Sequence, residues 1–324
     1  MFLRKLVLAA VLSCLVGVAQ AAGLKIFEIP ATVDGAAIRV AEWTPCAKPP
    51  VTIELGPFLL PAVRDCPVAG ESLPLVVISH GFRGTNLSHH DTAEAFADAG
   101  FIVVALNHPD DSASSKEEGR SLRALTNRPA DIKRVIDHML GSSPDAAKID
   151  PERIGFFGFS RGGYTGLVLA GATPDFRQLR QRCQDPTGTN CKPIDPRLAP
   201  TATLPTDPRI NAFVIADPLS SVFATKESVR PITAPVQLWA SERGGDGVSS
   251  RDIAAIAGSL TVAPEFQVVP RSGHFAFLTL CPAALAQTLP ELCTDAPGFS
   301  RVEFHEEFNA RAVAFLRRHL TGQP

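Results

Sequence analysis

Ser160 stands in the run Gly158-Phe159-Ser160-Arg161-Gly162, between a short apolar segment, Ile154 to Phe157, and a second apolar segment that suits a helix. A serine hydroxyl is a weak nucleophile at neutral pH. It needs a base, a partner that orients the base, and donors for the charge that develops on the attacked oxygen. Glycine two residues either side of a serine suits a sharp strand-to-helix turn, where backbone and helix crowd together. Such a turn presents the hydroxyl at the carboxyl edge of a sheet, at a helix N-terminus whose N–H groups favour negative charge. The chemistry this predicts is nucleophilic attack by Ser160.

The base must be a histidine, and the chain has eight. His305 and His319 fall on a C-terminal helical segment, His138 on the helix before the elbow, and His89 and His90 at the start of the first helix. His80, His108 and His274 each follow a strand-like run, at the edge where α/β sheets bind ligands. His274 follows the last such run, which gives the chain order serine, acid, histidine. His80-Gly81-Phe82 suits a loop that brings backbone N–H groups to an oxyanion, with Phe82 and Arg161 as the two donors. His108 is a candidate pocket or structural residue. Two aspartates qualify as the acid, because each follows a strand that precedes His274. Asp246 is preferred, with Asp217 as the alternative; Glu242 reads as a solvated loop acid.

These residues need a sheet to align them. Strand-like runs cover Leu24–Ile29, Ala37–Trp43, Leu73–Ser79, Phe101–Leu106, Ile154–Phe157, Ile210–Ala216, Val236–Ala240 and Phe266–Val269. Helical patterns fall between them, at Asp91–Ala99, from Asn127-Pro129 onward, after the elbow and at Val302–Leu320. Strands alternating with helices predict a mostly parallel central sheet covered by helices on both faces. Residues 46–72 are Pro-rich and read as a surface loop stapled by Cys46 and Cys66. Residues 174–208 read as an insertion capping the sheet edge.

Composition restricts the class. The 324 residues are 45% hydrophobic and 20% charged, with a formal net charge of -2. That is an ordinary globular balance, and it disfavours nucleic-acid or polybasic membrane-surface binding. Arg4 and Lys5, the apolar run Leu6 to Val18 and Ala19-Gln20-Ala21 predict a signal peptide over 1–21. One α/β domain is expected over 22–324, periplasmic or secreted, and no later run is long enough to span a membrane. Beyond Cys14 in that leader, six cysteines fall into three local pairs, 46–66, 183–191 and 281–293, which export makes candidate disulfides. Their spacing does not suit zinc, so no metal or cofactor is expected.

The segments SHGFRG (79–84), GFSRGG (158–163), PVQLWASERGGD (235–246) and GHFAFL (273–278) resemble the α/β-hydrolase superfamily over about residues 30–320. The chain looks like exported bacterial dienelactone hydrolase-like proteins, similar to platelet-activating-factor acetylhydrolase and, more distantly, to cutinase-like polyesterases. Dienelactone hydrolases themselves use a cysteine nucleophile where this chain has Ser160. Acetylhydrolase-like relatives imply Asp217 as the acid and cutinase-like relatives imply Asp246. The resemblance implies a Ser-His-Asp esterase working through an acyl-enzyme on a small or lipid-like ester. The alternatives are a serine peptidase or amidase on the same fold, or a catalytically silent periplasmic binding protein.

Overall fold

Ten strands run through the residues that the computed structural model describes, 21–33, 35–115, 122–182 and 203–323. They are β1 (Ala21–Ile29), β2 (Ile38–Cys46), β3 (Val51–Leu55), β4 (Phe58–Arg64), β5 (Leu73–Ser79), β6 (Ile102–Leu106), β7 (Ile149–Phe159), β8 (Ile210–Ala216), β9 (Val236–Ser241) and β10 (Glu265–Val269). One sheet holds them all, in the order β10-β9-β8-β7-β5-β6-β2-β1-β4-β3. Strands β5 to β10 are mutually parallel, and β2 joins β6 antiparallel.

The helices in chain order are α1 (His90–Asp98), α2 (Arg123–Thr126), α3 (Arg128–Gly141), α4 (Arg161–Leu169), α5 (Arg177–Arg182), α6 (Lys226–Val229), α7 (Ser250–Ala257), α8 (Ala283–Thr288), α9 (Pro290–Cys293) and α10 (Arg301–Leu320). The central strands read as continuous apolar runs because both faces are covered. Side chains alternate along a strand. Leu75 and Val77 of β5 therefore join Ile132, Val135 and Met139 of α3 on one face. Val76 and Ile78 join Phe96 of α1 and Phe304, Phe308 and Phe315 of α10 on the other. Each buried phenylalanine contributes about 2–3 kcal/mol by removal from water. Helix α10 starts where Ser300 Oγ accepts the Glu303 N–H at 3.3 Å, as a capping box requires.

The expected surface loop at 46–72 is instead largely sheet. Leu55 pairs with Phe58 across a tight turn at Gly56-Pro57, and β3 and β4 form an antiparallel hairpin inside the Cys46–Cys66 disulfide. Along β4, Phe58, Leu60 and Ala62 are buried while Leu59 and Pro61 face outward. That alternation outweighs the prolines, because Pro61 lies short of the three residues that pair with β1. Residues 1–20, with the expected signal peptide, lie outside the described residues. So do residues 183–202, which hold most of the expected capping insertion and both Cys183 and Cys191.

A buried ion pair ties the far face to the carboxyl edge. His305 of α10 hydrogen-bonds Asp91 of α1 at 2.5 Å, and its Nε2 donates to the Ala276 carbonyl at 2.8 Å. Burial alone would lower the His305 pKa; the Asp91 charge and these hydrogen bonds outweigh it and raise it. A histidine with a raised folded pKa stabilises fully below its unfolded value near 6.5, and that contribution is lost as pH rises through the folded value. His305→Ala should therefore cost about 3 kcal/mol at pH 6, with a shrinking penalty toward pH 9. Burial also raises Glu42 and Asp131, each to about 7, so wild-type stability changes with pH for other reasons. The test is the wild-type-minus-variant difference in melting temperature across pH. A pH-independent difference would mean that the charge on His305 does not matter.

Candidate active site

Strand β7 delivers Ser160 to the carboxyl edge, and α4 begins at the next residue. Ser160 has φ 56° and ψ -115°, a strained conformation for a residue with a side chain. Its glycine neighbours explain how the turn closes. A Cβ at Gly158 would stand 2.3 Å from the Gly162 carbonyl oxygen, and one at Gly162 only 1.8 Å from that of Ser79. Neither position accepts a larger residue without the strand and helix moving apart.

His274 follows β10 in a short turn, and its N–H donates to Gly244 O at 2.8 Å. Its ring links Ser160 to an acid. Nε2 lies 3.1 Å from Ser160 Oγ, and Nδ1 lies 2.7 Å from Asp217 Oδ2. An ionised carboxylate only accepts, so Nδ1 carries the proton and Nε2 is left to accept from the Ser160 hydroxyl. Asp217, directly after β8, is held in turn by Ser241 at the end of β9. The Ser241 N–H donates to Oδ1 and its hydroxyl to Oδ2, each at 2.7 Å. Ser160, His274 and Asp217 are all at least 95% buried, with exposures of 5%, 2% and 0%.

The preference for Asp246 as the partner of His274 is corrected by this geometry. Asp246 is exposed, on a turn closed by the Gly245–Val248 bridge, and stands on the rim of the cavity above Ser160. Both aspartates lie at the carboxyl edge. Only Asp217 faces inward, because β8 lies between β7, which carries Ser160, and β9, which supplies Ser241.

The cavity encloses about 600 Å³, and Ser160 and His274 lie on its floor. One wall is the β3–β4 hairpin tip with Leu55, Pro57 and Phe58; the other is α8–α9 with Leu285, Leu289 and Leu292. Each wall is bracketed by a disulfide, Cys46–Cys66 and Cys281–Cys293, two of the three expected pairs. The His80–Gly84 loop forms the third side, and a Cβ at Gly81 would be 3.2 Å from Ser160 Cβ. Phe82 lines the cavity beside Ser160, and Arg161 is the first residue of α4.

Comparison with known proteins agrees with this architecture. Residues 62–178 match the dienelactone hydrolase family. The matched segment runs from the end of β4 to the start of α5 and contains the Ser160 turn. It is 29% identical over 163 residues to a protein of Nocardia uniformis subsp. tsuyamanensis named "Putative esterase NocK", across 45% of this chain and 46% of that one. It is 34% identical over 105 residues to an Escherichia coli protein from the traX-finO intergenic region, across 32% of this chain and 34% of that one. The chain thus matches less than half the length of either curated relative. A ferulic acid esterase from Streptomyces cinnamoneus shares the fold, with a TM-score of 0.66 at 18% identity, over 95% of this chain and 92% of that one.

The fold contains a second serine–histidine–aspartate arrangement. His108 Nε2 lies 2.9 Å from Ser79 Oγ, and its Nδ1 lies 2.9 Å from Asp131 Oδ2. Distances alone do not separate the two arrangements; surroundings do. Ser79 and His108 are fully buried, neither lines the cavity, and Arg128 Nη2 donates to Ser79 Oγ at 3.2 Å. Burial, reinforced by the Arg128 charge, pushes the His108 pKa well below its ordinary value. His108 is thus part of the support beneath the loop rather than a pocket residue. His80 is likewise structural: Nδ1 donates to Gly81 O at 2.6 Å and Nε2 accepts the His108 N–H at 3.2 Å.

No motif in the sequence singles out Arg128, Asp111 or Asp131, nor the leucines of α8–α9. The bracketing Cys281 and Cys293 were the available signal for that wall. Among the described residues, no group of three or more His, Cys, Asp or Glu side chains is placed to hold a metal ion, and no helix is long and apolar enough to cross a membrane.

Proposed function

We propose that this chain is an exported serine hydrolase that cleaves carboxylic esters through Ser160, His274 and Asp217. The observation that carries the reading is the Asp217–His274–Ser160 hydrogen-bonded chain, which opens on an apolar cavity beside a turn rich in backbone donors. The Ser160 Oγ attacks the ester carbonyl carbon while His274 Nε2 takes its proton. Asp217 keeps the imidazole in the Nδ1–H form and stabilises the imidazolium. The carbonyl oxygen becomes an oxyanion, received by the N–H groups of Phe82 and Arg161. Collapse expels the alkoxide, which leaves with the proton from Nε2. Water, deprotonated by the same nitrogen, then attacks the acyl-enzyme and frees the acid. The leucine and proline walls favour a substrate that is apolar on at least one side of the ester. Two disulfides and the sequence of residues 1–21 support a periplasmic or secreted location.

The test is a screen of purified protein against p-nitrophenyl esters of graded chain length and matching p-nitroanilides, with fluorophosphonate labelling. Ester turnover with labelling at Ser160 is the expected result. Preferential anilide cleavage would make the protein an amidase or peptidase. No turnover and no labelling would indicate a silent binding protein.

A further inference from the structure

A charged cluster lies beneath the cavity floor and touches no part of the proposed chemistry directly. Arg128, the first residue of α3, is fully buried and makes four side-chain hydrogen bonds. Its Nε donates to Thr165 Oγ1 at 3.1 Å and its Nη1 to Asp111 Oδ2 at 2.7 Å. Its Nη2 donates to Ser79 Oγ at 3.2 Å and to the His80 carbonyl. These partners come from the end of β5, the loop after it, the loop after β6, and the first turns of α4.

Asp111, also fully buried, takes a second arginine. Arg161 Nη1 lies 3.1 Å from each of its carboxylate oxygens. The Arg161 guanidinium in turn sits over the Phe82 ring, 4.2 Å from its centroid. Thr165 closes the circuit by donating to the Arg161 carbonyl at 2.8 Å. The loop that carries Phe82 is thus held from both ends of the network, at the His80 carbonyl and at the Phe82 ring. Its far side is tied as well, where the Ala113 N–H donates to Gly84 O at 3.0 Å.

Charges taken out of water are expensive, and a buried ion pair is seldom more stable than apolar residues of the same volume. A triad of two arginines and one aspartate is therefore a poor way to fill space. It is a good way to fix one loop against another. An oxyanion donor works only within about 2.7–3.1 Å of the developing charge.

We infer that Arg128, Asp111 and Arg161 are positioning residues that hold the Phe82 amide at the oxyanion site beside Ser160. The inference rests on the esterase reading for its catalytic consequence, while the loop geometry stands apart from it. The three side chains act through Phe82 and touch no reacting atom. Arg161 has two separable parts, a backbone N–H in the site and a guanidinium that braces its neighbour.

Arg161→Gln is the first variant, because that side chain is partly exposed and Arg128 still pairs with Asp111, so the fold should survive, which a melting curve checks. Hydrogen exchange at the amides of residues 80–84 should be faster than in wild type. The kcat for a p-nitrophenyl ester should fall about 10- to 100-fold, part of the loss seen when an oxyanion donor is removed outright. KM should stay within about two-fold, and the rate of fluorophosphonate labelling should fall in step with kcat. Phe82→Ala keeps the N–H but removes the ring. If the stack carries the effect, the double variant is no worse than the more severe single one. Arg128→Lys keeps the charge but cannot bridge four acceptors, so the same pattern should be larger there. Unchanged exchange in Arg161→Gln overturns the inference, and so does faster exchange with kcat and labelling at wild-type rates. A wild type that neither labels nor hydrolyses sinks the esterase reading, and the exchange measurement then decides alone whether the network holds the loop.

Discussion

Ser160→Ala should lower ester turnover by about 10⁶-fold, the loss expected when the nucleophile of a cooperating serine–histidine–acid set is removed. What remains is the catalysis that binding and the oxyanion donors give without a nucleophile. The fold should survive. Among the described residues the side chain makes one hydrogen bond, to His274, so melting should fall by no more than about 3 °C. Ser160→Gly separates chemistry from strain. At φ 56° and ψ -115° a residue with a Cβ pays about 1–3 kcal/mol, which glycine avoids against an entropic cost nearer 1 kcal/mol. Ser160→Gly should be as inactive as Ser160→Ala and melt at or above it. Retained turnover in either variant would put the nucleophile elsewhere, and a glycine variant melting well below the alanine one would remove strain from the account.

What the sequence disclosed about this site follows from how local each constraint is. Gly158 and Gly162 report a close approach within five residues, so the elbow is legible directly. His274 is legible because it follows the last strand. The acid is not, because Asp217 and Asp246 occupy equivalent places after successive strands. Choosing between them needs Ser241, whose N–H and hydroxyl fix the Asp217 carboxylate across the β8–β9 boundary. A contact between neighbouring strands of a parallel sheet leaves no short-range signature. The Cys46–Cys66 segment misleads for the opposite reason. Its prolines are conspicuous, while the burial alternation of Phe58, Leu60 and Ala62 matters only once a neighbouring strand exists. Arg128 lies one turn before Ile132 on the buried face of α3, but an arginine is so seldom fully buried that its type argues against that placement, and Asp111 stands in a polar loop. They meet only when the loops after β5 and β6 are brought side by side.

Asp217→Asn should cut turnover about 10⁴-fold in a protein that still folds. The asparagine is nearly isosteric, and its oxygen can still accept the Ser241 N–H that now reaches Oδ1 at 2.7 Å. Its NH₂ must then face the Ser241 hydroxyl and the His274 ring. An amide N–H there donates to Nδ1, which forces the proton onto Nε2. That nitrogen then donates toward Ser160 Oγ instead of accepting from it, so the base is lost with its geometry intact. The imidazolium that forms during attack also loses its counter-charge. Asp246→Asn changes an exposed carboxylate on the cavity rim and should cost about ten-fold or less, as the loss of a surface hydrogen bond would. Melting curves come first, because an unfolded Asp217→Asn would mimic a dead one. Fluorophosphonate labelling rates of the two folded variants then separate the aspartates without reference to substrate fit. A folded Asp246→Asn that labels thousands of times more slowly than Asp217→Asn would return the acid to the loop after β9 and leave the Asp217–His274 bond a structural one.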